Sequence, residues 1–90
     1  MKSLRAAIET GERGACWHVD CRSMPAPYPL LGARAAVALM KEGEVLRLLA
    51  TDPEAAVDVP AWCRMTGNRC LDQVERRGVY AFLIRKGRPR

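Results

Sequence analysis

Cys16-Trp17-His18-Val19-Asp20, then Cys21-Arg22-Ser23-Met24-Pro25-Ala26-Pro27-Tyr28-Pro29, then Leu30-Leu31-Gly32-Ala33-Arg34, is the stretch from which the fold can be read. The first five residues alternate. Trp17 and Val19 point one way and Cys16 and His18 the other, as in a β-strand with one buried face. The proline-rich segment Pro25–Pro29 reads as a stiff loop that opens into a helix. Pro27 suits the first helical position, and Pro29 still lies in the first turn, where N–H groups have no partner within the helix. From Pro27 to Met40 the chain is rich in Ala and Leu, with Leu30, Ala33, Val37 and Met40 on one stripe, and Lys41-Glu42-Gly43 supplies a stop.

Working outward, Glu44–Thr51 reads as a largely buried strand. Asp52-Pro53-Glu54 signals a second helix start, a capping oxygen followed by Pro where no N–H is needed. Pro60 either restarts this helix with Asp58 as cap or kinks it. Thr66-Gly67-Asn68 ends it, with Gly67 free to turn left-handed. Leu71 to Arg76 and Val79 to Arg85 are two strands joined by a tight turn at Arg77-Gly78. The order is β-α-β-α-β-β, without internal repeat or linker. Right-handed crossovers then put both helices on one face of a four-stranded mixed sheet, an α+β two-layer sandwich. Trp17 or Val19, Leu48, Val57, Leu83 and the neighbours of Phe82 are the expected core.

Ninety residues make one domain, near the lower end of what a single core stabilises. Residues 1–14 form a charged lead-in containing Gly11 and Gly14, the domain spans 15–86, and 87–90 end a basic tail. No apolar run reaches the roughly 18 residues of a membrane span. Met1-Lys2-Ser3-Leu4-Arg5 has no apolar segment behind its charge, so a cytoplasmic location is expected. Much of the net charge of +5 lies in Arg85-Lys86-Gly87-Arg88-Pro89-Arg90, read as a solvated or frayed tail. The other cations are mixed with acids and not interleaved with aromatics, which disfavours direct nucleic-acid binding. Cys16, Cys21, Cys63 and Cys70 contain no CxxC and do not supply the two closely spaced pairs of a structural zinc site, so no zinc site is expected. They read as small core hydrophobes, not as disulfides. His18 has no acid–nucleophile pair beside it, and no nucleophile-base-orienter set is visible for an independent enzyme.

The segment from Val19 to Pro29 resembles the signature of the TusA/SirA family of small sulfur-relay proteins. There a hydrophobe-Asp-x-Arg-Gly-hydrophobe stretch leads into Cys-Pro-x-Pro at the start of the first helix. Ser23 stands here in place of the usual Gly, and Ala26 in place of the cysteine; Pro27 and Pro29 remain. Glu44-Val45-Leu46, Ala50-Thr51-Asp52-Pro53, Asp58 to Asn68 and Gly78 to Lys86 resemble the family's later blocks, so the likeness runs from about Trp17 to Lys86. It implies the same two-layer sandwich and a role in sulfur relay without a cofactor. Partners would be a cysteine desulfurase, a rhodanese or other relay subunits, in tRNA thiolation, cofactor sulfuration or sulfur oxidation.

A relay protein accepts a sulfane sulfur on a thiolate, holds it as a persulfide and passes it to another thiolate. A helix N-terminus favours the anion, and a residue before Pro is biased to extended backbone that holds its side chain outside the helix. Position 26, which the resemblance makes the family's persulfide position, is thus pre-set for an exposed, activated side chain, and a methyl group there cannot do the chemistry. Ala26 is either an introduced change or a natural loss, and the drift at Ser23 favours the second. Cys21 could substitute as nucleophile, against its plainer reading as a buried thiol. Arg22, Pro27, Pro29 and Arg64 are the remaining candidates for the motif and partner surface. The alternatives are a binding or regulatory module that docks to relay partners without transferring sulfur, or a small RNA-binding domain of similar topology.

Overall fold

In a computed structural model, residues 15–88 are described, with side chains from Trp17 onward; the 1–14 lead-in lies outside them. The elements are β1 (Ala15–Cys21), α1 (Tyr28–Leu39), β2 (Val45–Ala50), α2 (Ala55–Thr66), β3 (Arg69–Arg76) and β4 (Val79–Arg85). The sheet order is β1-β2-β4-β3. β1 and β2 run parallel, while β4 is antiparallel to both its neighbours. This is the β-α-β-α-β-β sandwich expected from the sequence. No helix among the described residues is long and apolar enough to cross a membrane.

Strand alternation sorts the core. Leu46, Leu48 and Ala50 of β2 and Phe82 and Ile84 of β4 form one buried cluster with Ala33, Ala36, Val37 and Met40 at α1 and Ala55, Val59 and Cys63 of α2. Trp17 and Val19 pack against it from β1. Both helices therefore cover one face. Val45 and Leu83 point to the opposite face, where Leu71 and Ala81 pack on them.

Val57 is not core; it is 69 % exposed. Ala55, Val59 and Cys63 repeat every four residues and set the buried stripe of α2, so a residue two positions from each faces away. The helix also neither restarts at Asp58 nor breaks at Pro60, which sits inside it. Pro60 cannot donate to the carbonyl four residues back, and Gln73 Nε2 from β3 donates to that Ala56 oxygen at 3.1 Å instead. Gly67 ends α2 at φ 80°, in the left-handed region. Arg77 and Gly78, at φ 53° and 81°, make the two-residue hairpin turn.

The basic tail is not frayed at its start. Lys86 N–H donates to the Glu44 carbonyl at 2.9 Å and its own carbonyl accepts from Gly43 at 2.8 Å. Lys86 Nζ reaches the Met40 carbonyl at 2.6 Å, and Gly87 N–H reaches Asn68 Oδ1 at 3.0 Å. Backbone pairing thus carries on past β4, and an ammonium satisfies a carbonyl at the end of α1, where a cation is favoured.

Candidate functional site

The loop from Cys21 to Pro27 joins β1 to α1 across the ends of the sheet strands. Two side chains of the β2–α2 connection hold it. Thr51 Oγ1 accepts from Ser23 N–H at 2.8 Å, and Asp52 Oδ2 accepts from Ala26 N–H at 2.5 Å. The other oxygen, Oδ1, accepts from Glu54 N–H at 2.9 Å. One carboxylate therefore fixes the backbone of position 26 and opens the turn into α2, which starts at Ala55. Ser23 sits at φ 67°. That left-handed conformation explains why a glycine is expected at this place in the motif.

Pro27 is the residue before the first helical one, not the first itself; its carbonyl accepts from Leu31 N–H at 3.0 Å. Tyr28 N–H is taken by the Pro25 carbonyl at 3.0 Å, and neither proline has an N–H. The start of α1 thus offers an anion at position 26 the helix dipole but few donors. The prolines also differ in exposure. Pro29 is fully buried and anchors the first turn, so of the two motif prolines Pro27 alone stands on the surface.

Ala26 itself is half-buried. On its inner side lies a nook of only about 10 Å³, lined by Pro27, Pro29, Leu30, Ala55 and Asp58. Such a space holds at most one water. Across the loop, Ser23, Met24, Pro25, Thr51, Asp52 and Pro53 line an open depression of about 310 Å³. Met24, Tyr28 and Leu31 are 45 %, 55 % and 45 % exposed. The site is an exposed shoulder with apolar side chains, without a pocket for a small substrate at position 26.

Arg22 lies at the start of the loop, turned back onto Asp20. Nε reaches Oδ1 at 2.9 Å and Nη2 reaches Oδ2 at 2.7 Å. These bonds hold the Asp20 carboxyl down to about 2. Its folded-state value is depressed, so whatever the pair contributes is present above the ordinary carboxylate range and is lost as pH falls toward 2. Arg64 is not brought to position 26. Ala26 packs against the first turns of α2, and Arg64 lies in the last turn, about 9 Å farther along the axis than Asp58 at 1.5 Å per residue.

Cys21 is buried, 4 % exposed. A Cβ built on Gly32 of α1 would come within 3.0 Å of its Sγ and 3.1 Å of Val19 Cγ1. Its thiol is thus packed against the helix backbone, and burial, with Asp20 behind it, pushes its pKa up. Burial also pushes Cys63 up to about 12. A buried thiol with a raised pKa carries little thiolate at neutral pH. The residues missed by sequence reading are Thr51 and Asp52. Asp52 was legible as a helix-start signal, but its grip on Ala26 joins residues 26 positions apart and leaves no local pattern.

Comparison with known proteins matches residues 18–86 to the family described as sulfurtransferase TusA. A Neisseria meningitidis protein with a provisional sulfur-carrier name is 41 % identical over 66 residues, covering 73 % of this chain and 89 % of its own. The sulfur carrier protein TusA of Allochromatium vinosum is 35 % identical over 68 residues, covering 76 % and 90 %. That of Pseudomonas putida is 32 % identical over 68 residues, covering 76 % and 85 %. With its motif loop, its sheet order and nearly all of its described length accounted for, the chain belongs to the TusA sulfurtransferase family.

Proposed function

We propose that this chain works in sulfur relay as a docking member that carries no sulfur: it occupies the partners of sulfur-carrier proteins through the surface around position 26 and transfers nothing itself. The observation that carries this reading is the intact mount beneath an inert side chain. Asp52 and Thr51 hold the loop, Pro29 locks the helix start, and the residue so presented is Ala26. Apolar Met24, Tyr28 and Leu31 remain exposed around it, which suits contact with a protein rather than capture of a metabolite. Cys21 is a poor stand-in because its thiol is packed beneath Gly32 and its pKa is raised. A cytosolic setting, where thiols stay reduced, agrees with the free Cys21, Cys63 and Cys70. The partners would be a cysteine desulfurase, a rhodanese or another relay subunit.

Competition tests the reading. Sulfur transfer from a cysteine desulfurase to an intact TusA-type carrier is followed by mass while this chain is added in excess. The expected result is dose-dependent slowing, lost when the exposed Tyr28 is changed to Glu. Transfer that proceeds at the same rate at every dose, or slowing that Tyr28→Glu leaves intact, contradicts docking through this surface.

A further inference from the structure

At the other end of the helix pair, the C-terminal halves of α1 and α2 and the segment after β4 enclose a groove of about 280 Å³. Val37, Ala38 and the half-buried Trp62 give it apolar walls; Arg34, Lys86 and Arg88 surround it, and no carboxylate lines it. Arg34 has no ion-pair partner among the described residues, and Arg88 has only a long, exposed contact of 3.8 Å with Glu42. The two tryptophans also differ. Trp17 Nε1 donates to Glu44 Oε1 at 3.0 Å, whereas Trp62 donates to no described residue. A helix C-terminus accounts for Lys86, which bonds the Met40 carbonyl. It does not account for Arg34, which lies in the middle of α1.

We propose that this groove docks an acidic segment of a partner protein, seating one large apolar side chain on Val37, Ala38 and Trp62 with flanking carboxylates on Arg34 and Arg88. Its volume is just below the roughly 300–1,000 Å³ range of ligand pockets, enough for part of a chain. Arg34 comes from α1 and Arg88 from the segment after β4, and Lys86 Nζ is taken up by the Met40 carbonyl, which suits spaced carboxylates better than a single small anion. A nucleic-acid strand needs a continuous cationic track with aromatics for successive bases. Here Trp62 is the one aromatic lining the groove. Strand alternation turns Arg47 and Arg85 to the opposite face of the sheet, and Arg76 and Arg77 lie at the β3–β4 hairpin. The groove is remote from Ala26, so this proposal stands or falls independently of sulfur loading and of the Tyr28 surface.

A random dodecapeptide display library panned on the intact chain tests it, with the Trp62 indole N–H resonance reporting the site. The expected winners carry several Asp or Glu around one Leu, Phe or Trp, and they shift the Trp62 signal on titration. Their affinity should fall about tenfold in an Arg34→Glu, Arg88→Glu double variant, since two attractive rim charges become repulsive. Both positions are exposed, so the variant keeps its fold, checked by its unchanged unfolding midpoint. Absence of enrichment, winners without acidic bias, or affinity unchanged in the double variant would overturn the proposal. So would a hexauridylate oligonucleotide that shifts Trp62 more strongly than the winning peptides.

Discussion

Ser23 stands at φ 67° in the loop that carries the motif, a conformation that costs an L-residue roughly 1–2 kcal/mol. Glycine adopts it freely but gives up some of that gain to its greater freedom in the unfolded chain. Ser23→Gly should therefore stabilise the fold by about 0.5–1 kcal/mol, read as a higher urea midpoint at unchanged slope. The Ser23 N–H bond to Thr51 is kept in the variant, because it is a backbone donor. A lower midpoint would mean that the loop depends on the serine itself. The serine was legible in the sequence as a departure from the motif; its left-handed backbone was not, because φ at one loop residue depends on what the loop must reach. The same holds for Asp52. Its helix-start role is local and readable, whereas its bond to Ala26 N–H exists only once β1 and β2 lie side by side.

At the level of elements, strand and helix order followed from alternation, stripe and stop signals, and Gly67 marked the end of α2 as its left-handed capability suggests. Pro60 was ambiguous because local sequence shows only that a hydrogen bond is missing. The answer came from β3, where Gln73 donates to the Ala56 carbonyl. Gln73→Leu should cost about 0.5–1 kcal/mol, as loss of one partly solvated hydrogen bond. In a Pro60→Ala background the helix regains its own donor, so the same change should cost almost nothing; this non-additivity is what a double-mutant cycle detects. Equal cost in both backgrounds would show that Gln73 does not repair the helix. Val57 departs from the expected core for a related reason. A short helix containing several apolar residues allows more than one buried stripe, and the sheet beneath α2 selects Ala55, Val59 and Cys63.

For the whole molecule, the sandwich sets two surfaces apart. The start of α1 presents position 26, and the far ends of both helices with the tethered Lys86-Gly87-Arg88 segment form the basic groove. The composition of the tail is that of a solvated terminus; pairing of Lys86 with Gly43 and Glu44 is a property of the assembled sheet. The family frame was readable from the motif, while the packing of Cys21 beneath Gly32 needed the fold. In the proposed docking role the frame persists and only the reactive atom is absent. In the Ala26→Cys variant a thiolate at the helix start would attack a sulfane sulfur, forming an S–S bond as the donor leaves as its own thiolate. The dipole of α1 favours that thiolate, and the carboxylates of Asp52 and Asp58 oppose it. The most direct measurement is intact mass after incubation with a cysteine desulfurase and cysteine, before and after reduction. The docking role requires a reducible gain of one sulfur in Ala26→Cys and none in the parent chain; reducible loading of the parent, mapped to Cys21, would contradict it.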